Sequence, residues 1–273
     1  MENLLSIGIP TYKDYDGVYF TIQSLRMYHN LNDIEILIVD TEEEKNNDVF
    51  ELCQLTNVKY FHKPDAAHTP SAAKNYVFQL ATSKYVMCID CHVLLEKNSL
   101  QKLKKYLVTN KPEKDLLQGP LLYDDLKSLF PYLKAEWTKH FYGSWDYDPR
   151  VANSDIPFEI NMQGMGLFCM NRKHWVKFNS KFYGFGAEEF YLQEKVRKRG
   201  GKALCLPFLQ WVHRFRRPNG VPYNLNIIDR IVNYLIGWTE LKIDTKPIID
   251  YYTTQVTPEE MQIALERFEK SKI

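Results

Sequence analysis

The sequence predicts an α/β protein with a mostly parallel central sheet that is flanked by helices. Apolar runs typical of buried strands alternate with stretches of helical spacing over the first 108 residues. Parallel strands need a crossover connection, usually a helix, and such sheets are covered on both faces. Polar side chains also follow three of the predicted strands, at the edge where open α/β sheets bind ligands.

Four apolar runs and four stretches of helical spacing account for this first part of the chain. Ser71 is the expected N-cap of the third helix. The predicted strands cover residues 4–9, 34–39, 58–61 and 85–89. The predicted helices cover residues 18–28, 48–55, 71–81 and 99–108.

The pattern is less regular after residue 115. Residues 115–157 are rich in aromatic side chains and predict an excursion from the sheet or a small antiparallel extension. Further elements are expected as strands at 164–170 and 203–207, and as helices within 186–201, at 227–241 and at 258–272.

Composition limits the classes of partner. The net charge is +1, so no overall field attracts a polyanion, and a nucleic acid would need a local basic patch. The five cysteines are odd in number and lie mostly in apolar surroundings, which favours reduced thiols. The amino terminus has no signal-peptide pattern, and no apolar run reaches the ~18 residues of a membrane helix. We therefore expect a cytoplasmic protein without a membrane span.

The segment Asp90-Cys91-His92 directly follows the fourth predicted strand. Residues i and i+2 of an extended chain point to the same face, so the carboxylate and the imidazole can converge on one point. That point is a candidate site for a divalent cation. The alternative is a hydrogen-bonded Asp–His pair that closes the strand. Asp40 ends the second strand in a similar way, and its alternative is a turn or capping carboxylate.

Three segments in the first half of the chain carry a resemblance to a known family. They are residues 6–12 (Ser-Ile-Gly-Ile-Pro-Thr-Tyr), 36–40 (Ile-Leu-Ile-Val-Asp) and 71–75 (Ser-Ala-Ala-Lys-Asn). In order and spacing they are similar to the nucleotide-binding half of the GT-A glycosyltransferases of the large family 2 type.

Four further segments resemble one branch of these enzymes, the polypeptide N-acetylgalactosaminyltransferases. Residues 90–92 resemble an Asp-x-His metal motif, and residues 212–216 resemble a His-x-Phe-Arg segment that supplies a third ligand. Residues 164–172 look like the Gly-Gly-Leu-Phe strand of the sugar pocket, and residues 185–189 look like the Trp-Gly-Gly-Glu helix. The resemblance extends over residues 4–223.

The resemblance implies a single Rossmann-like GT-A domain over residues 1–223. Residues 1–108 would form its nucleotide-binding half and residues 109–223 its sugar and acceptor half. Residues 224–273 would form a C-terminal helical extension. The implied activity is metal-dependent transfer of a hexosyl or N-acetylhexosaminyl group from a UDP-sugar to an acceptor hydroxyl.

The resemblance also implies roles for individual residues. Asp90, His92 and His213 would bind the metal, and this mixed nitrogen and oxygen set suits Mn²⁺, with Mg²⁺ possible. Without the motif, His213 would be read as a surface histidine. The implied nucleotide-sugar contacts are Pro10, Thr11, Tyr12, Asp40, Lys74, Gly164, Gly166 and Arg216.

The sequence leaves alternative roles open for some of these residues. Lys74 is either a contact to the diphosphate or base, or a solvated helix lysine. Arg214, Arg216 and Arg217 either clamp phosphate or form a surface patch, and the bidentate geometry of guanidinium favours phosphate for at least one.

Glu188 and Glu189 are the candidate catalytic residues. Glu188 matches the glutamate that binds the sugar or acceptor in retaining relatives, whereas Glu189 falls where inverting relatives place a carboxylate base. An inverting enzyme needs such a base opposite the leaving group, and a retaining enzyme does not. The metal motifs favour retention, Glu189 favours inversion, and we expect retention.

Two other functions remain open at this point. One is a glycosyltransferase acting on hydroxymethylated bases of viral DNA, for which the basic residues at 213–217 would be the contact. The other is a non-catalytic sugar-nucleotide or glycan-binding module, because fold does not dictate activity. The acceptor, whether glycan, protein or modified nucleic acid, is not determined by the sequence.

Overall fold

The computed structural model describes residues 3–217 and 220–272, and the elements below belong to these ranges. The helices are α1 (Tyr15–Tyr28), α2 (Asn47–Thr56), α3 (Pro70–Leu80), α4 (Ser99–Asn110), α5 (Arg150–Asn153), α6 (Glu188–Lys198), α7 (Ile227–Glu240), α8 (Lys246–Tyr252) and α9 (Pro258–Ser271). The strands are β1 (Leu5–Thr11), β2 (Ile34–Asp40), β3 (Lys59–His62), β4 (Tyr85–Ile89), β5 (Val93–Leu95), β6 (Leu116–Gln118), β7 (Leu121–Leu122), β8 (Leu129–Phe130), β9 (Tyr132–Thr138), β10 (Phe141–Asp146), β11 (Phe158–Glu159), β12 (Leu167–Asn171), β13 (Ala203–Cys205) and β14 (Trp211–His213).

Within the described ranges, the central sheet has the strand order β11-β13-β6-β12-β4-β1-β2-β3. The strands β3, β2, β1 and β4 run parallel, and so do β13 and β6. Strand β12 runs antiparallel to both of its neighbours, β4 and β6, and β11 runs antiparallel to β13. The predicted α/β class with a mostly parallel, helix-flanked sheet is confirmed.

The predicted elements of the first 108 residues are all present, and their ends agree with the prediction to within three residues. The assignment of Ser71 as an N-cap is wrong. Helix α3 begins at Pro70, with Thr69 in the N-cap position. Proline is favoured in the first turn because its missing N–H has no helical partner there.

The irregular middle of the chain contains the small antiparallel extension, formed by β9 and β10. The short strands β5 and β14, and helix α8, were not predicted. Three-residue strands are too short to show a period in the sequence.

Two apolar layers cover the two faces of the sheet, because successive strand residues point in opposite directions. In β2, Leu37 and Val39 face one layer, whereas Ile36 and Ile38 face the other. The layer on the Ile36 side contains residues of α1, α2 and α4, and the other layer contains residues of α3, α6, α7 and α9.

The C-terminal extension is therefore part of the main core. Buried side chains of α7 and α9 lie in the same apolar layer as Val77 of α3 and Phe168 of β12. Helix α8 also contacts the β9–β10 hairpin. Tyr251 stacks on Trp137 with 4.7 Å between ring centroids, and the Tyr252 hydroxyl donates to the His140 carbonyl at 2.7 Å.

Among the helices in the described ranges, none combines the length and apolar character that a bilayer crossing requires.

Gly8 allows close packing between β1 and α3, and this contact can be tested. A Cβ at position 8 would lie 2.1 Å from Val77 Cγ1, and Val77 is fully buried. We expect Gly8→Ala to lower the free energy of unfolding by about 1–3 kcal/mol through overpacking. The measurement is chemical denaturation of the purified protein.

Val77→Ala provides the matched control. It removes the clashing methyl groups, so the double variant should lose less stability than the sum of the two single variants, by about 0.5–3 kcal/mol. Strictly additive losses would show that the two residues do not compete for the same space.

Candidate active site

A cleft of about 820 Å³ opens at the carboxyl ends of β1 and β4. Its walls come from the ends of these strands, from α3, from the β9–β10 hairpin, from the first turn of α6 and from β14. This is the edge at which open α/β sheets bind ligands.

The structure brings Asp90, His92 and His213 together at the centre of this cleft. One ligand atom from each lies within 4.8 Å of the other two. The two Nε2 atoms of the histidines are 3.1 Å apart, and His213 Nε2 lies 3.5 Å from Asp90 Oδ2. The antiparallel pairing of β14 with β5 places His213 opposite Val93, next to His92.

These three residues have the chemistry of a divalent-cation site. One carboxylate and two imidazoles form a mixed oxygen and nitrogen donor set that suits Mn²⁺. Although burial alone would raise it, the charge of Lys74 and the hydrogen bond from His213 hold the pKa of Asp90 well below its ordinary value. Burial lowers the pKa of His92, and a neutral imidazole is the form that binds metal.

Lys74 is buried beside the three candidate ligands, so the alternative interpretation of Lys74 as a solvated helix lysine is wrong. Its Nζ atom lies 3.8 Å from Asp90 Oδ1, and only 9% of its side chain is exposed. Burial opposes the charge, but Asp90 and Glu188 raise the pKa of Lys74 above its ordinary value. The cleft therefore contains a fixed ammonium group next to the candidate cation site.

Both predicted glycines line the cleft and allow aromatic rings to approach the backbone. A Cβ on Gly164 would lie 2.9 Å from Trp145 Cζ2, and a Cβ on Gly166 would lie 2.9 Å from Trp211 Cζ3 and 3.2 Å from His213 Cδ2. The Gly166 carbonyl also accepts from the Asp90 backbone N–H at 2.9 Å. A side chain at position 166 would therefore displace a candidate metal ligand.

Pro10, Thr11 and Tyr12 line the cleft at the end of β1. The Tyr12 hydroxyl donates to Glu43 at 2.8 Å, and the Tyr12 ring packs edge-on against His68 with 5.1 Å between centroids. These contacts form an aromatic wall that projects beyond the strand.

Asp40 does not line the cleft. Its Oδ1 accepts from the Glu42 backbone N–H, and its Oδ2 accepts from the Asn46 backbone N–H and the Tyr60 hydroxyl. The carboxylate is fully buried in this turn, which matches the turn alternative. The neighbouring Thr41 lines the cleft instead.

Arg216 is exposed and also lies outside the cleft lining, whereas Arg217 is part of it. Arg217 approaches the His92 ring, with its Nη2 atom 2.8 Å from Nε2.

Glu188 and Glu189 both line the cleft, from the first turn of α6. Burial and the neighbouring Glu189 raise the pKa of Glu188 to about 7, against the opposing effect of Lys74. Burial also raises the pKa of Glu189. Near neutral pH this pair can hold or release a proton.

Two groups of cleft residues were missed by the sequence analysis. Asp14 contacts His92, and its only signal in the sequence is its position as N-cap of α1. Although burial raises it, the hydrogen bond from His92 lowers the pKa of Asp14 to about 2. Asp229 and Arg267 of the C-terminal extension form an ion pair of 2.7 Å at the cleft wall. Neither of these two residues belongs to a motif.

Comparisons with known proteins agree with this architecture. Residues 6–175 match the family model described as glycosyl transferase family 2. An uncharacterized glycosyltransferase of Rickettsia conorii is 29% identical over 113 residues, which make up 40% of this chain and 18% of that relative.

Two solved structures are similar in fold. GalNAc-T7, crystallised with UDP, GalNAc and Mn²⁺, superimposes with a TM-score of 0.70 at 17% identity, over 88% of this chain and 49% of that chain. The mannosyltransferase PcManGT from Pyrobaculum calidifontis, in complex with GDP-Man and Mn²⁺, gives a TM-score of 0.58 at 12% identity, over 100% of this chain and 76% of that chain.

This chain spans less than a fifth of the curated relative and about half of GalNAc-T7. The family model, in contrast, matches more than half of the chain, and both structural neighbours share its sheet and flanking helices. The chain belongs to glycosyl transferase family 2 and has the GT-A fold.

Proposed function

We propose that this protein transfers a sugar from a UDP-sugar to an acceptor hydroxyl, with a divalent cation held by Asp90, His92 and His213. The observation that carries this proposal is the convergence of these three side chains in the cleft beside Lys74. The nucleotides and Mn²⁺ present in GalNAc-T7 and PcManGT support a nucleotide-sugar donor and a cation of this kind.

The leaving group of such a reaction is a nucleoside diphosphate, whose charge must be stabilised as the glycosidic bond breaks. When bound, Mn²⁺ or Mg²⁺ would supply Lewis-acid stabilisation of that charge. Lys74 and Arg217 would supply fixed positive charge to the phosphates, and their burial strengthens this effect. Arg217 takes the role that the sequence suggested for Arg216.

The rest of the cleft would hold the two ends of the substrates. Pro10, Thr11 and Tyr12 would contact the nucleoside, and Gly164 and Gly166 would let the sugar approach the backbone. We assign residues 1–223 to the GT-A domain. Residues 224–273 add an ion pair to the cleft wall, so we assign this extension to the acceptor side.

Glu188 and Glu189 would contact the sugar or the acceptor. The Asp-Cys-His and His-Arg-Phe-Arg segments favour a retaining reaction, in which the leaving phosphate accepts the proton of the acceptor hydroxyl. Glu188 would then position hydroxyl groups and would not act as a base. The raised pKa of Glu188 suits this role, because a protonated carboxyl can both donate and accept hydrogen bonds.

The first prediction concerns the cation site. We expect Mn²⁺-dependent hydrolysis of a panel of UDP-sugars by the wild-type protein, and a loss of about 100-fold or more in Asp90→Asn and His213→Ala, since each substitution removes one ligand. The measurement is release of UDP with and without Mn²⁺.

Asp124→Asn and His174→Ala are matched controls, because they make similar substitutions outside the cleft lining. Full activity in both cleft variants would show that the cation site is misassigned. UDP binding by the wild type without any cation-dependent hydrolysis would instead identify a non-catalytic sugar-nucleotide-binding module.

The second prediction concerns stereochemistry. With methanol as a simple acceptor, we expect the methyl glycoside to keep the anomeric configuration of the donor. Proton NMR of the isolated product measures this configuration directly. An inverted product would assign a base role to one of the two glutamates, and Glu189→Gln would then abolish transfer.

The third prediction concerns pH. The pKa of Glu188 is higher in the folded than in the unfolded state, so the folded protein holds more protons between about pH 4.5 and pH 7. The free energy of unfolding should therefore fall as pH rises through this window. Glu188→Gln should remove this part of the slope and be more stable than the wild type at pH 8, by about 1–3 kcal/mol.

Chemical denaturation at several pH values measures this effect, and Glu51→Gln on the exposed face of α2 is the control. Equal slopes in the wild type and Glu188→Gln would contradict the buried, protonated state of this carboxyl.

A further inference from the structure

His92 is held from one side by a carboxylate that belongs to no motif. Its Nδ1 atom lies 2.9 Å from Asp14 Oδ2, and only 8% of the Asp14 side chain is exposed. Asp14 lies 78 positions earlier in the chain, three residues after the end of β1, so the contact depends on the pairing of β1 with β4.

The hydrogen bond to Asp14 fixes the tautomer of His92. An ionised carboxylate can only accept, so Nδ1 must carry the proton and donate it. In a neutral imidazole the other nitrogen, Nε2, is then the acceptor, and Arg217 Nη2 lies 2.8 Å from it. This is the nitrogen that lies 3.1 Å from His213 Nε2, on the side of the candidate cation site.

Asp14 is itself held in place by several groups. Its Oδ1 accepts from the Gly17 backbone N–H at 3.1 Å, as the N-cap of α1, and from Arg214 Nη2 at 3.0 Å. Arg217 Nε lies 3.8 Å from Oδ2. The carboxylate is therefore anchored on a helix terminus and does not depend on His92 for its position.

His213 lacks a comparable support. Its Nδ1 atom is buried and has no hydrogen-bond partner among the residues that the structure describes. Among the described residues, His92 is the one of the two candidate imidazole ligands that has a carboxylate at Nδ1, the nitrogen away from His213 and the candidate cation site.

We propose that Asp14 is a positioning residue that holds His92 with Nε2 directed to the cation. This inference rests on the proposed function and adds a residue to it. A carboxylate on the second nitrogen fixes the ring orientation and makes the ligating nitrogen more basic, and loss of such a partner typically costs 10–100-fold in metal affinity.

The decisive variant is Asp14→Ser. Serine keeps the N-cap of α1 but is too short to reach His92, so helix capping and histidine orientation are separated. In ¹⁵N-labelled metal-free protein, NMR of the imidazole nitrogens should show the Nδ1–H tautomer of His92 in the wild type and a shift toward Nε2–H in the variant. His92→Ala identifies the signal.

Mn²⁺ affinity is the second readout, measured by calorimetry or electron paramagnetic resonance without any turnover. We expect Asp14→Ser to weaken binding 10–100-fold. Because Asp14 acts through His92, His92→Ala and the double variant with Asp14→Ser should bind Mn²⁺ equally weakly. Asp14→Asn leaves one oxygen acceptor where Asp14 uses two. With that oxygen on the Gly17 N–H, the amide NH2 group faces His92 Nδ1, so this variant should also shift the tautomer toward Nε2–H and weaken Mn²⁺ binding.

The outcomes separate this inference from the proposed function. A wild-type protein that binds no Mn²⁺ would overturn the proposed cation site itself. If the wild type binds Mn²⁺, and Asp14→Ser binds it with equal affinity and with an unchanged His92 tautomer, only the role of Asp14 would be overturned.

Discussion

The cleft depends on the short antiparallel ladder between β5 and β14. Asp90 and His213 are 123 positions apart in the sequence (213 − 90), and three paired residues of this ladder bring them together. The ladder continues one step further through the Arg214 backbone N–H, which donates to the His92 carbonyl at 3.2 Å. Gly166 is the other requirement, because any side chain there would meet Trp211 and His213. Backbone pairing and one missing Cβ thus set the distance between the candidate ligands.

The charges in the cleft follow from this arrangement. Lys74 is a buried cation that interacts with Asp90, Glu188 and Glu189, so acidic groups outnumber the ammonium group around it. Buried charges are costly unless they are paired. Two effects limit the unpaired charge. Asp90 stays ionised because Lys74 lies next to it, whereas the raised pKa values of Glu188 and Glu189 favour their neutral, protonated forms. A divalent cation or a proton would each reduce the remaining negative charge.

The sequence predicts the fold better than it predicts side-chain direction. Strand and helix periods located the elements of the first half, and the positions of Asp90 and His92 after a buried strand were readable from spacing alone. Asp40 also ends a strand, but its carboxylate accepts from backbone N–H groups of the turn that follows β2, and Arg216 is exposed. Neither direction is encoded in the spacing of the sequence. Asp14 could be recognised only as a helix cap, and its contact with His92 arises from tertiary pairing.

His213 lies outside the stretch of the chain that matches the family model. The family model ends at residue 175, whereas the third candidate ligand, and the wall formed by Asp229 and Arg267, lie beyond it. A related chain could keep every residue of the matched stretch, retain the nucleotide-binding half, and still differ at position 213. Membership in the family and possession of a complete cation site are thus separable properties, encoded in different stretches of one polypeptide.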